Sequence, residues 1–193
     1  MTGAATRPGG SGSRARSDGP LTPGAEGREP RPLRLRAADV EDLAIVSAAL
    51  QDAIVAVGDI GWLPDDRRFA MVVNRFMWDA APAEGATATG GDADTDEGDV
   101  PVYHRTHCGV RFERVRRVVA RGVDLAERGR LLELLAIESV VDADGARMLL
   151  VFAGGAEIRL DAEAIDCRLE DLGTPWPTTR RPRHEIEDGA ESD

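Results

Sequence analysis

The sequence contains no lysine, so every one of its 24 basic residues is an arginine. A chain without lysine cannot form a Schiff base, and it lacks the lysine of the common phosphate-binding loop. We therefore expect any anion to be held by arginine side chains, backbone amides or helix N-termini.

Cysteine, aromatic residues and long apolar runs are also scarce. Cys108 and Cys167 are the only cysteines and neither belongs to a CxxC pair. We therefore expect no disulfide framework and a reduced, cytoplasmic location. Aromatic residues make up 4% of the chain, which predicts an aliphatic core. The N-terminus resembles no signal peptide, and no apolar run approaches the length of a membrane span.

Negative charge dominates, with a formal net charge of −11 at pH 7. This net negative charge argues against a nucleic-acid partner, because a protein binds the phosphates of a nucleic acid through a basic surface. The charge is unevenly distributed, since residues 80–100 hold six acids and no base, whereas residues 101–121 hold six arginines and one acid.

Composition divides the chain into one domain and flexible segments. Residues 1–32 contain seven Gly and five Pro, and residues 174–193 contain three Pro and an acidic end. We expect both to be disordered tails, and residues 80–102 to be an acidic flexible insertion. Residues 33–173 are then expected to form a single α+β domain.

The periodicity of the apolar residues predicts helices at the two ends of this domain and strands between them. Asp39 is a good N-cap for a helix over residues 37–53, and residues 162–173 show helical spacing before Gly173. The strands are joined by short turns, which predicts an antiparallel sheet of six to seven strands. A partly closed barrel, as in pleckstrin-homology-like folds, fits this element order by analogy.

A family resemblance is carried by six stretches: VEDLAIVSAALQDA (40–53), RRFAMVVNRFMWD (67–79), FERV (112–115), RGVD (121–124), LLELLAIES (131–139) and LVFAGGAEIRLDAEAIDCRLEDLG (150–173). These stretches resemble an uncharacterised bacterial family, seen mainly in alphaproteobacteria and catalogued as domain of unknown function 2948. The resemblance covers nearly the whole expected domain and implies no assigned activity.

The segment YHRTHC offers the nearest approach to a metal or nucleophile site. His104, His107 and Cys108 are residues that zinc accepts, and a Cys–His pair could activate a thiolate. A zinc site needs a fourth ligand, usually from a second paired motif, and Cys167 stands alone. We therefore expect a solvated loop here, with no metal and no cofactor.

The strand RRFAMVVNRFMWD contains two adjacent polar residues, Asn74 and Arg75. Alternation places them on opposite, otherwise apolar faces, which is typical of a central strand covered on both sides. We expect a structural link from Arg75 to Asp52, because buried polar groups need partners. The functional alternative is a ligand pocket, built from four residues: Trp62, Asn74, Arg75 and Trp78.

The segment 110–123 is predicted to be one strand that presents arginines on both faces. It offers an anion-binding surface formed by Arg111, Arg114, Arg116 and Arg117. The other interpretation is an edge strand whose charges prevent aberrant pairing. We hypothesise that the preceding acidic insertion folds back and screens these arginines.

No catalytic constellation and no cofactor motif is found in the sequence. The favoured interpretation is a cytoplasmic, non-enzymatic binding or scaffold module that acts with an unidentified protein partner or as a homo-oligomer. The alternative is a small-molecule-binding protein or an enzyme, with its pocket beside the tryptophans of the first hairpin.

Overall fold

A computed structural model describes residues 32–78, 80, 83–87, 101–180 and 182. One helix lies near its start, α1 (Val40–Ala49). Twelve strands account for most of the rest: β1 (Arg34–Ala37), β2 (Ala53–Ala56), β3 (Ile60–Leu63), β4 (Arg68–Phe76), β5 (Ala83–Thr87), β6 (Pro101–Phe112), β7 (Val115–Arg121), β8 (Leu131–Asp142), β9 (Gly145–Phe152), β10 (Glu157–Ala162), β11 (Cys167–Asp171) and β12 (Trp176–Thr178).

The strands pair antiparallel in the order β1-β11-β6-β4-β2-β8-β9-β10-β7. β3 continues the line of β2 beside β4, and β5 and β12 pair with β6. The sheet is not closed, because β1 and β7 form its two ends. β4 is the fourth of the nine strands in this order and so lies in the interior of the sheet, as its apolar sequence predicts.

One continuous core covers one side of the sheet, which we call the inner face. The helix α1 covers part of it with Leu43 and Val46, and Leu50 follows directly after the helix; each of the three is no more than 1% exposed. The core is mainly aliphatic, as the low aromatic content predicts, with Phe69, Phe112 and Phe152 among its larger side chains.

The N-terminus of α1 is set by a local signal. The Asp39 carboxylate accepts a hydrogen bond of 2.8 Å from the Asp42 amide, which confirms the predicted N-cap. The helix is also tied to the sheet, because the Ser47 hydroxyl accepts from the Ile137 amide at 2.8 Å.

The predicted C-terminal helix is wrong, because residues 167–171 form β11 instead. Ile165, Leu169 and Leu172 do have helical spacing, but Leu172 is 45% exposed. The pattern that prevails has period two, with buried and exposed residues alternating along Cys167–Asp171. β11 pairs with β1 on one side and β6 on the other, and these long-range hydrogen bonds outweigh local helical preference.

The strand count and the barrel also need correction, since the described residues form a sheet of twelve strands that stays open. The single strand predicted over residues 110–123 is the end of β6, a turn and β7. Arg114 occupies this turn with a φ of 59°. β6 itself begins at Pro101, so it is far longer than predicted.

Some described strands lie in segments for which flexibility was predicted. β5 and the start of β6 lie in the expected insertion, and β12 lies in the expected C-terminal tail. The other residues of these segments, and residues 1–31, lie outside the described residues.

Candidate functional site

The strands β1, β11, β6 and β4 present a second, outer face opposite the core. Side chains alternate between the faces, so β11 directs Asp171 inwards and Arg168 and Glu170 outwards. The paired residues of neighbouring strands share a face, and the register therefore determines which distant side chains meet.

Three arginines stand directly opposite one another on this outer face. The register pairs Arg111 of β6 with Arg168 of β11, and Arg168 with Arg36 of β1. We call these three residues the arginine row. Directly opposed residues in a sheet lie roughly 5 Å apart, and like charges in such positions destabilise the pairing.

The acidic residues nearby neutralise the positive charge of the arginine row only in part. Arg36 lies 3.8 Å from Asp166, and Arg111 lies 3.7 Å from Glu113. The Glu113 carboxylate is engaged more closely by the Arg68 Nε, at 3.0 Å. For the exposed guanidinium of Arg168 we find no ion pair or hydrogen bond within the described part of the chain.

A groove of about 630 Å³ runs beside the arginine row across the outer face. Its floor is small and aliphatic, formed by Ala70, Val72, Gly109 and Leu172. Charged side chains form its walls: Arg34, Arg111, Arg168, Asp59 and Glu170. We call this feature the outer groove. Its volume is within the range of ligand sites, and its shape is open.

Gly109 helps to form the floor of the outer groove. A Cβ at this position would lie 3.2 Å from the Leu172 Cδ1, tighter than an ordinary contact. Because glycine has no side chain, Leu172 lies across β6 and remains 45% exposed there. Val72, opposite Gly109, is 41% exposed, so the outer face of β4 is not covered as predicted.

The predicted polar residue Arg75 lies on the inner face and is buried. Its Nε and Nη2 donate to the two carboxylate oxygens of Asp171 at 2.7 and 2.8 Å. Asp171 Oδ2 also accepts from the Leu33 amide at 2.8 Å. Arg75 therefore has a bidentate partner on β11, Asp171, where the sequence predicts a link to Asp52.

The other residues of the predicted tryptophan pocket lie apart. Trp62 is paired with Phe69 near the start of β4, whereas Trp78 follows the end of that strand. Trp78 Nε1 donates to the Gln51 carbonyl at 3.3 Å. Asn74 is on the outer face, opposite His107, and so points away from Arg75. The structure does not bring the four residues together around one cavity.

An aromatic cluster closes the end of the outer face beyond Asn74. The ring of Phe76 lies 4.4 Å from that of Trp78 and 5.4 Å from that of Tyr103. The Arg105 guanidinium lies 5.6 Å from the Phe76 centroid, and burial lowers its pKa. These contacts explain why Phe76 is only 1% exposed although it faces outwards.

Of the four predicted anion-binding arginines, only Arg111 lines the outer groove. Arg116 donates to the carbonyls of Asp144 at 2.6 Å and Ala162 at 3.0 Å. Arg117 is paired with Asp161 on β10, and Arg114 lies in the turn before β7. Arg116 and Arg117 both line a second, smaller cavity beside Asp144 and Asp161, so the structure separates Arg111 from this pair.

Sequence reasoning missed Arg34, Arg36 and Arg168, which line or flank the outer groove. Their strands contain a usable signal, because arginine alternates with apolar residues in Arg34–Ala37 and again at Arg168. That signal predicts a two-faced strand but leaves the partner strand undetermined. Only the register places these arginines in one row.

The residues of YHRTHC face in different directions. His107 is on the outer face, where its ring lies 4.6 Å from Trp176, and Cys108 is buried on the inner face. Burial raises the pKa of the Cys108 and Cys167 thiols to about 12, so both are protonated and poorly nucleophilic at neutral pH. Among the described residues, no three His, Cys, Asp or Glu side chains are grouped to hold a metal ion.

Comparison with known proteins identifies one family. A family profile described as "Protein of unknown function (DUF2948)" matches residues 33–184. No curated protein and no solved structure matches the chain. In the part of the chain that the structure describes, no helix is long and apolar enough to cross a membrane.

Proposed function

We propose, for a chain that belongs to the DUF2948 family of proteins of unknown function, that its domain is a non-enzymatic binding module whose outer groove holds an acidic peptide segment of a partner protein. The family description names no activity, so the support comes from the geometry of the outer face.

The arginine row is the observation that carries this proposal. Opposed like charges reduce the stability of a sheet, and folding alone gives no reason to align three of them. Binding sites commonly retain such unfavourable arrangements, because a ligand of opposite charge offsets the repulsion. Arg168, at the centre of the row, has its guanidinium exposed and can form bidentate contacts with a carboxylate.

The surroundings of the row favour a peptide over a nucleic acid. Among the residues that the structure describes, no aromatic side chain lines the outer groove, so bases would find no stacking surface there. Glu170 and Asp59 in the walls would repel a continuous phosphate backbone. The aliphatic floor around Val72 and Leu172 instead suits the apolar side chains of a short extended segment. The groove lies over five strands, β1, β11, β6, β4 and β3, which span roughly 19 Å, about six extended residues.

Fluorescence anisotropy tests the proposal with the full chain and a fluorescein-labelled octapeptide of alternating Glu and Leu. We expect binding that weakens as salt is added, and a loss of at least about tenfold in affinity for Arg168→Glu. Arg121→Glu is the matched control, because it makes the same charge change on the distant strand β7, where Arg121 is 83% exposed.

Equal losses for the two variants would indicate a general charge effect and would overturn the proposal. So would the absence of peptide binding at low salt. Single-stranded RNA is the competing probe. If it bound more tightly than the peptide and lost affinity in Arg168→Glu, the groove would be a nucleic-acid site.

A further inference from the structure

We infer that the acidic C-terminal segment of this chain, residues 184–193, places its last acidic residues, Glu191 and Asp193, in the outer groove of the same chain and competes there with external acidic ligands. This inference rests on the proposed function, since it assigns a regulator to the same groove. The segment holds five acidic residues and no arginine, so its charge is complementary to the arginine row.

The position of β12 determines where this segment starts. β12 runs antiparallel to β6 and pairs Thr178 with Tyr103. Tyr103 is eight residues from Arg111 along β6, roughly 26 Å, so Arg180, two residues after Thr178, lies at most roughly 33 Å from Arg111 in the arginine row. The thirteen residues after Arg180 can extend up to about 45 Å. The last residues, including Glu191 and Asp193, can therefore reach the groove with length to spare.

The other acidic segment has equal charge but a different attachment. Residues 88–100 also contain five acidic residues and no base. Thr87 and Pro101, which flank them, are paired with each other, so the segment must leave and return at one place. Its farthest point therefore lies no more than about 24 Å from Pro101, short of the roughly 33 Å to Arg111. Chain length thus favours the C-terminal segment over the predicted screening of Arg111 by the insertion.

The range that the family profile matches contains the outer groove but not the acidic residues of the C-terminal segment. The described residues that line the outer groove all lie within residues 33–184, whereas the acidic residues of the C-terminal segment lie beyond them. We therefore assign the competition to this chain, and peptide binding to the domain that it shares with its family.

Two full-length variants with the same change in net charge test the inference, using the labelled Glu-Leu octapeptide as probe. The first neutralises the C-terminal segment by Glu185→Gln, Glu187→Gln, Asp188→Asn, Glu191→Gln and Asp193→Asn. The second neutralises the insertion by Asp92→Asn, Asp94→Asn, Asp96→Asn, Glu97→Gln and Asp99→Asn.

We expect the C-terminal variant to bind the probe at least about threefold more tightly than the parent chain, because a tethered competitor is removed. The insertion variant should change the affinity by less than half as much, and Arg168→Glu should abolish the gain. The gain should not depend on protein concentration, since the competition is within one chain.

The outcomes separate the inference from the proposed function. If the parent chain binds the probe and the two neutralised variants gain equally, or neither gains, the inference fails and peptide binding stands. If the gain in affinity varies with protein concentration, the segment binds the groove of a second copy of the chain. This result would also overturn the inference. If neither the parent nor any variant binds the probe, the proposed function itself fails.

Discussion

Glu170 and Asp171 are neighbours on β11, and each forms an ion pair with an arginine at nearly the same distance. The Arg34–Glu170 pair measures 2.8 Å, and its side chains are 76% and 51% exposed. The Arg75–Asp171 pair measures 2.7 Å, and its side chains are 1% and 2% exposed. The alternation of side chains along the strand places one pair in water and the other in the core. The two ion pairs therefore differ in their contribution to stability, although their N–O distances are nearly the same.

The inner pair is a structural connection. Asp171 joins Arg75 of β4 to the Leu33 amide before β1, so it links segments that the sheet order separates. Breaking such a pair leaves an uncompensated buried charge, whereas water solvates the partner that remains after an exposed pair is broken. The outer face can therefore change its charges at little cost in stability and is free to serve binding.

The largest expected effect is on the inner face. Arg75→Ala should lower the free energy of unfolding by about 3–5 kcal/mol, because the Asp171 carboxylate loses its buried partner. Urea denaturation followed by circular dichroism measures this loss. Replacing both partners, with Arg75→Met and Asp171→Leu, should cost less than the single change. A loss below about 1 kcal/mol for Arg75→Ala would show that the two faces do not differ as described.

The two inner-face thiols should make stability sensitive to alkaline pH. Their folded-state pKa of about 12 lies above the ordinary value of 9.0. Between these pH values the unfolded chain loses thiol protons that the folded chain retains. The free energy of unfolding should therefore fall by up to about 1.4 kcal/mol per pH unit for each thiol above pH 9.

Denaturation midpoints at pH 8, 9 and 10 measure this dependence on pH. A double variant, Cys108→Ala and Cys167→Ala, is the control and should show a shallower decline. Identical slopes for the parent and the double variant would assign the alkaline loss to other groups.

A smaller effect is expected from the exposed pair on the outer face. Glu170→Gln should lower the free energy of unfolding by only about 0.2–1 kcal/mol, since water and salt screen the Arg34–Glu170 interaction. The same change should strengthen binding of the acidic octapeptide, because it removes a carboxylate from the groove wall. Weaker peptide binding by Glu170→Gln would contradict this assignment of the wall.

The smallest effect on stability should have the opposite sign. Arg168→Ala removes the central charge of the arginine row, so we expect the free energy of unfolding to rise by about 0.2–0.5 kcal/mol. Affinity for the acidic octapeptide should fall in the same variant. Denaturation and anisotropy on one preparation measure both quantities. A clear loss of stability would instead make Arg168 a structural residue.

The placement of Asn74 and Arg75 shows how far the sequence could predict the site. Alternation along β4 correctly places them on opposite faces, because side-chain direction in a strand has period two. It could not show that the outer face stays open, since coverage depends on which elements pack there. Nor could it identify Asp171, which lies 96 residues from Arg75 along the chain.

The sequence by itself determined the features that depend on neighbouring residues. These are the capped start of α1 at Asp39, the two-faced character of β4, and the reliance on arginine for any anion contact. Only the tertiary structure decided that residues 167–171 form a strand and that Arg36, Arg111 and Arg168 stand in one row. The physical reason is that caps and alternation act over a few residues, whereas strand register is set by hydrogen bonds between segments far apart in the chain.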